Sequence, residues 1–197
     1  MISVKDISFA YKNADGKAEK PILSRFSLDL PENTVTAVMG ESGSGKTTLA
    51  KLLLGLQKPD SGEITGLDGK RISAVFQEDR LLPWYSARKN IASVLTDTKA
   101  ENDALTEAIL EETELTASAD KPIRELSGGM QRRVAIGRAL AFGGDLLILD
   151  EPLKGLDEEL QKRIVPRIKK RFPTILLITH SEDEAKLFGA AKTVRLK

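Results

Sequence analysis

The segment Gly40-Glu41-Ser42-Gly43-Ser44-Gly45-Lys46-Thr47-Thr48 holds the residue types and spacing that speak most directly of chemistry. It has the form G-x-x-x-x-G-K-T. Glycines let backbone N–H groups turn inward around phosphate oxygens. Lys46 supplies a point charge for β- and γ-phosphates, and the Thr47 hydroxyl suits Mg²⁺ ligation. A helix starting at Lys46 would present its positive end to the same anion. A Gly/Ser loop can also be a plain flexible connector. The strand expected over Thr34–Met39 and the helix expected over Lys46–Leu56 make phosphate binding the better reading. The motif implies a nucleoside triphosphate without saying which machine uses it.

Two further chemical groups stand after apolar runs. Asp150 and Glu151 follow Leu146–Leu149, and His180 follows Thr174–Thr179. In open parallel sheets, ligands sit beyond the carboxyl ends of strands. If these strands are parallel to the one before Gly40, all three ends share a rim with the phosphates. Asp150 would then orient Mg²⁺, Glu151 would polarise the attacking water, and His180 would hold the γ-phosphate or that water. Phosphoryl transfer needs such positioning and charge neutralisation more than covalent chemistry. Taken singly, an Asp-Glu pair is more often a solvated turn and a lone His a surface residue.

Alternation predicts strands over Ile2–Tyr11 and Phe26–Leu30, with a hairpin loop over Lys12–Lys20 between them. Further strands are expected over Glu63–Gly69, Ile72–Phe76, Leu146–Leu149, Thr174–Thr179 and Lys192–Leu196. The pattern turns helical from Ala87 to Leu115. Helices are also expected over Ser127–Phe142, with Ser127 as N-cap, over Glu158–Phe172, where Pro166 interrupts the pattern, and over Glu182–Phe188. Strands lead and then alternate with helices. The expected fold is α/β, with a parallel central sheet, an antiparallel N-terminal part and a helical insertion.

The chain has 197 residues, room for one domain with a sizeable core. Lys plus Arg (30) nearly cancels Asp plus Glu (29), so there is no basic excess of the kind a nucleic-acid partner requires. The absence of cysteine excludes disulfides, thiolate catalysis and Cys-ligated metals, and fits a reducing compartment. No apolar run approaches the roughly 18 residues of a membrane span. Met1–Ala10 alternates and does not read as a signal peptide. Service at a membrane would therefore go through a partner.

Leu126-Ser127-Gly128-Gly129-Met130-Gln131 lies between the phosphate loop and the run Leu146–Asp150-Glu151-Pro152. In that order the three segments resemble the nucleotide-binding domain of ABC transporters, over essentially the whole chain. Alone, Ser127-Gly-Gly reads as a helix N-cap. Its small residues leave free N–H groups and a hydroxyl open to an approaching anion. The resemblance implies a P-loop NTPase fold with a RecA-like parallel core sheet and a small helical subdomain. It is expected to be one domain over residues 1–197, with the core at about 1–86 and 141–197 and the helical subdomain at about 87–140. It implies ATP and Mg²⁺ as ligands, and two subunits (a homodimer or paired ATPases) sandwiching ATP head to tail. Each phosphate loop (Gly40, Ser42, Gly43, Ser44, Gly45, Lys46, Thr47, Thr48) would meet the other subunit's Ser127, Gly128, Gly129 and Gln131.

The same resemblance makes Glu151, His180 and Gln77 catalytic, with Thr47, Gln77 and Asp150 around the metal. Tyr11 matches the aromatic that stacks on adenine, with an ordinary strand aromatic as the equal alternative. Asp157 matches an acid that communicates across the dimer, and can serve as a helix N-cap as well. Leu81-Leu82-Pro83-Trp84-Tyr85 contains the only Trp; it either faces a membrane permease or packs within the helical lobe. With Phe76-Gln77 it is similar to ATPases of nitrate, sulfonate and taurine importers. That implies a cytoplasmic subunit, peripheral on the membrane's cytoplasmic face, powering uptake of a small solute handed over by an extracytoplasmic binding protein. Lys154-Gly155-Leu156 departs from the family's usual Ser-Ala-Leu and puts cross-dimer details in question. The helical lobe is short, and no regulatory domain is expected after the last strand. A soluble ATPase of DNA repair or translation and an exporter subunit are the competing readings; the missing coiled-coil insertion, the single cassette and the neutral charge weigh against the first, the loop at Leu81–Tyr85 against the second.

Overall fold

A computed structural model describes residues 1–13, 15 and 20–196. Most of the connection expected over Lys12–Lys20 lies outside the described residues. Along the chain the strands are β1 (Ile2–Phe9), β2 (Leu23–Leu30), β3 (Val35–Met39), β4 (Ser61–Thr65), β5 (Ile72–Val75), β6 (Leu146–Asp150), β7 (Ile175–Thr179) and β8 (Lys192–Arg195). The helices are α1 (Lys46–Leu53), α2 (Ala87–Ala92), α3 (Lys99–Glu112), α4 (Gly128–Phe142), α5 (Glu158–Arg171) and α6 (Glu182–Phe188), with short 3₁₀ turns at Thr116–Ser118 and Ile123–Glu125. These elements make two compact units: Met1–Lys70 with Pro173–Lys197, and Arg71–Phe172.

In the first unit, β1 is the centre of an antiparallel sheet, flanked by β2 and β4. Opposed pairs such as Ile2 with Leu30 and Val4 with Leu28 put buried apolar side chains on a shared face. The same unit holds a parallel group in which β3 pairs with both β7 and β8. Every residue of β3 and β7 is buried. A strand covered on both faces reads as a continuous apolar run, which is why VTAVM and ILLIT do not alternate. Each fully buried Ile or Leu there contributes roughly 1.5–3 kcal/mol.

The second unit pairs β5 with β6 in parallel and packs α2, α3 and α4 together. The helical run expected from Ala87 to Leu115 is two helices, not one. Ser86 caps α2, and Thr98 starts α3 with a reciprocal capping box to Glu101. The Thr98-x-x-Glu101 spacing is the local signal for that break. In α5 the structure differs the other way: Pro166 stays inside a continuous helix. Proline removes the N–H that would bond the Lys162 carbonyl. Both Pro166 and Lys162 are on the exposed side, where a carbonyl without its helical partner can be solvated.

An arginine ladder fastens α5 to the end of α3. Arg171 grips the Glu112 carboxylate through two bonds of 2.6 and 2.8 Å, and Arg163 grips Glu114 at 2.8 and 3.1 Å. Arg167 donates to the Glu112 carbonyl, and Arg133 from α4 to the carbonyls of Thr113 and Glu114 at 3.0 and 2.6 Å. The three α5 arginines are four residues apart and so share one face. Together the ladder occupies the carbonyls that the end of α3 leaves without intrahelical partners. The bond from Arg163, aided by the charges of Arg163, Arg167 and Arg133, holds the Glu114 carboxyl below the ordinary glutamate range.

Glu114→Gln is therefore expected to lower stability at neutral pH by about 1 kcal/mol or less, since the pair is partly solvated. That corresponds to roughly 2–4 °C in Tm for a chain of this size. A depressed native pKa stabilises above the unfolded value and loses that effect as pH falls through the native one. The deficit should thus shrink under strong acid and in high salt; thermal melts at several pH values and salt concentrations check it.

Candidate functional site

In the first unit, the register of β3 against β7 pairs Met39 with Thr179. The next residues, Gly40 and His180, therefore leave the ends of neighbouring parallel strands side by side. Both line a cleft of about 840 Å³ together with Gly43, Ser44 and Arg195. Gly45 is the N-cap of α1 with φ of 96°, and no side chain caps the helix. A Cβ at Gly45 would lie 2.8 Å from Ile22 Cγ2 and 3.2 Å from the Ile22 carbonyl oxygen. Only glycine combines that left-handed backbone with that approach.

Lys46 is buried, and its ammonium donates at 2.7 Å to the carbonyls of both Gly40 and Glu41. An ammonium has three donors. Two fix the loop's curvature and the third is available to an anion inside it. Ser44 Oγ is buried without a hydrogen-bond partner, an orphan of the kind a bound group satisfies. Ser42 and Gly43 are exposed at the loop tip, while Thr47 is half-buried and Thr48 buried at the start of α1. The loop thus fits a polyphosphate: converging donors, a buried cation and an uncapped helix end.

Tyr11 sits just beyond β1. Its hydroxyl is 3.3 Å from Thr48 Oγ1, its ring meets Phe9 edge-on at 5.0 Å, and the Lys51 ammonium lies 5.8 Å from its centroid. It lines a separate cleft of about 590 Å³ with Gln57 and Asp60, not the phosphate-loop cleft. Tyr11 reaches the start of α1 through Thr48.

The second unit repeats the strand-end arrangement. The β5–β6 register pairs Val75 with Leu149. Gln77 and Glu151 each come two residues later, beyond the carboxyl ends of adjacent strands. Gln77 is exposed, Asp150 is 2% exposed at the end of β6, and Glu151 turns the chain with φ of 49°. A left-handed non-glycine residue costs roughly 1–2 kcal/mol, so something must hold it.

That something is Arg132, which sequence reasoning passed over. Its side chain is buried in α4. It donates to the carbonyls of Asp150 at 2.7 Å, Glu151 at 2.6 Å and Pro152 at 2.9 Å. It also bonds the Phe76 carbonyl and, at 2.8 Å, Asp79 Oδ1. The available signal was its place on the apolar stripe of α4, three, four, seven and eight residues before Ala135, Ile136, Ala139 and Leu140. An arginine there must be fully paired.

At the start of α4, Ser127 accepts from the Met130 N–H at 3.3 Å and is exposed, as is Gly128. A Cβ on Gly129 would be 2.7 Å from the Gly155 carbonyl oxygen, so the missing side chain lets the Lys154-Gly155 turn lie against this helix end. The Gln131 amide donates to the carbonyls of Ile123 and Leu126, bracing the approach to α4. Asp157 caps α5, accepting from Leu160 N at 2.9 Å. In Leu81–Tyr85, fully buried Asn90 bonds the backbone of Leu82 in both directions, at 2.8 and 3.1 Å. Trp84 is left 73% exposed, so it does not pack within the helical lobe.

Residues 23–154 match the ABC transporter family. The taurine import ATP-binding protein TauB of Roseobacter denitrificans is 38% identical over 202 residues, 95% of this chain and 75% of that protein. The aliphatic sulfonates import ATP-binding protein SsuB 1 of Mesorhizobium japonicum is 41% identical over 192 residues, 90% of this chain and 71% of that protein. Among solved structures, a dimeric post-hydrolysis state of the ATP-binding cassette MJ0796, bound to ADP and Pi, superposes with a TM-score of 0.86 at 27% identity, covering 100% of this chain and 94% of that one.

Gly45→Ala is expected to weaken binding of a nucleoside triphosphate at least about tenfold, because it disturbs the turn that aims the donors. Calorimetric titration checks this; unchanged affinity would place the anion elsewhere.

Proposed function

The chain belongs to the ABC transporter family, and on that premise we propose that it is the ATP-binding and ATP-hydrolysing subunit of an importer for a small solute. The observation that carries the reading is the phosphate loop at the carboxyl end of β3, beside His180, in a cleft with an orphaned Ser44 hydroxyl. The similarity to ATP-binding proteins of taurine and aliphatic sulfonate import supports import over export and over a soluble repair or translation role. We read residues 1–197 as one ATPase domain, with a helical subdomain at about 87–140 set into a core of about 1–86 and 141–197.

Lys46 and the loop N–H groups hold the β- and γ-phosphates of ATP. Glu151 polarises the attacking water, Gln77 orients it, and His180 holds the γ-phosphate. Thr47, Asp150 and Gln77 offer hydroxyl, carboxylate and amide oxygens, a donor set that suits Mg²⁺. When bound, Mg²⁺ neutralises charge on the β- and γ-oxygens. Tyr11 approaches the base, its position set by Thr48.

Two subunits close on two ATP molecules, each site completed by the other subunit's Ser127, Gly128, Gly129 and Gln131, with Asp157 near the junction. No helix among the described residues is long and apolar enough to cross a membrane. As the ATP-binding subunit of an importer, the motor acts on a separate permease, from its cytoplasmic face. The exposed Trp84 and Tyr85 anchor that contact. An extracytoplasmic solute-binding protein delivers the cargo.

Glu151→Gln is expected to cut steady-state hydrolysis by about 10²–10⁴-fold and to trap an ATP-bound dimer, read by light scattering with and without MgATP. Wild-type turnover in that variant would remove Glu151 from the mechanism. Trp84→Glu should leave the isolated ATPase unchanged yet abolish co-purification of a multi-span membrane protein from detergent extracts. Continued co-purification would move the docking surface elsewhere.

A further inference from the structure

Arg132 has five N–H donors in a rigid planar fork. Here each has its own acceptor. Nε bonds the Pro152 carbonyl; one terminal nitrogen bonds the carbonyls of Asp150 and Glu151; the other bonds the Phe76 carbonyl and Asp79 Oδ1. The side chain of Arg132 is only 4% exposed, and that of Asp79 is 24% exposed. A buried guanidinium survives only when fully bonded. The fit is therefore all-or-none: no other side chain supplies five donors in that geometry.

What these acceptors share is position. Three are consecutive carbonyls of the turn that holds Glu151 in its left-handed conformation. The Phe76 carbonyl immediately precedes Gln77, and Asp79 follows it by two residues. A second α4 arginine extends the grip: Arg138 donates at 2.9 Å to the carbonyls of both Asp79 and Arg80. Burial pushes the Arg138 pKa down, but from a value so high that it stays charged. The segment bearing Gln77 and the turn bearing Glu151 have no regular strand pairing at these residues, since the β5–β6 register stops at Val75 and Leu149. One guanidinium takes over where the ladder ends.

We propose that Arg132 is a positioning residue for hydrolysis: it ties the Glu151 turn to the Gln77 segment and sets the geometry in which the two act on the attacking water. The proposal rests on the ATPase reading above. All five Arg132 donors are taken by protein acceptors, so its loss should affect turnover and spare binding. The phosphate loop and its lysine belong to other segments of the chain.

Lysine keeps the charge but has only three donors and no planar fork. In Arg132→Lys, kcat is expected to fall about 100-fold, the scale of a misplacement of about 1 Å at reacting groups. KM for MgATP and the Kd of a fluorescent ATP analogue should stay within about threefold of wild type. Gln77→Ala made on top of Arg132→Lys should slow turnover little beyond the slower single variant, because both substitutions act on one arrangement. A merely structural arginine would give the opposite: losses in kcat and affinity that follow the drop in Tm, and additive effects with Gln77→Ala. Either result, or full turnover in Arg132→Lys, overturns the proposal. Should that variant fail to fold, Asp79→Asn decides. It keeps an acceptor oxygen for Arg132 but removes the carboxylate charge, weakening one of the five bonds while the four carbonyls still hold the guanidinium, and it should lower kcat about 3–10-fold with Kd unchanged; unchanged kcat overturns the proposal. If the wild-type protein itself binds but never hydrolyses ATP, the ATPase reading falls and the role of Arg132 with it, whereas an active wild type with an unaffected variant refutes Arg132 alone.

Discussion

Parallel pairing built on the fully buried strands β3, β6 and β7 is the constraint from which the chemistry of this protein follows. A parallel ladder puts the carboxyl ends of its strands at one edge. Because β3 and β7 are in register, Gly40 and His180 emerge together; because β5 and β6 are in register, Gln77 and Glu151 do. No residue at these four positions contributes to the pairing. Their juxtaposition is a by-product of burying VTAVM, ILLIT and LLILD on both faces.

Beyond the strand ends, backbone groups lose their ladder partners, and side chains must replace them. The phosphate loop uses Lys46, which bonds two of its own loop's carbonyls. The Glu151 turn uses Arg132. The end of α3 uses Arg133 and Arg167. In each place a long cation gathers carbonyl oxygens that no secondary structure serves. This division of labour places the protein's buried charge at joints, where a neutral side chain would have too few donors. It also lets the buried Arg132 be held mainly by carbonyls, with Asp79 as its acidic partner.

Much of this was legible in the residue order. Gly40–Thr48 announced its own loop because glycines, a lysine and a hydroxyl at that spacing have few other uses. The short apolar runs before Asp150 and His180 read as strands by length and composition. Ser127 as N-cap of α4 followed from its side chain and the helical pattern after it. The ends of elements were less legible. Helix α1 stops at Leu53 and β4 at Thr65, each short of the apolar pattern that suggested it. The break between α2 and α3 was encoded in Thr98 and Glu101 but hidden by helical spacing on both sides. Pro166 looked like an interruption because its tolerance depends on which face of α5 meets water.

The sequence by itself determined the local chemistry: which residues can bind phosphate, cap a helix or polarise water, since those properties reside in a residue and its near neighbours. Only the tertiary structure decided where the long side chains go. The apolar stripe of α4 marks Arg132 for the interior, but nothing local names the carbonyls it bonds there, whereas Lys162 at the surface bonds Glu159 three residues away. Nor does composition say that Trp84 stands exposed while Asn90 is buried beneath its loop. The acceptors that make a buried arginine tolerable come from positions 18 to 56 residues away in the chain. They exist as a set only once the chain is folded, so the role of Arg132 could be read only there.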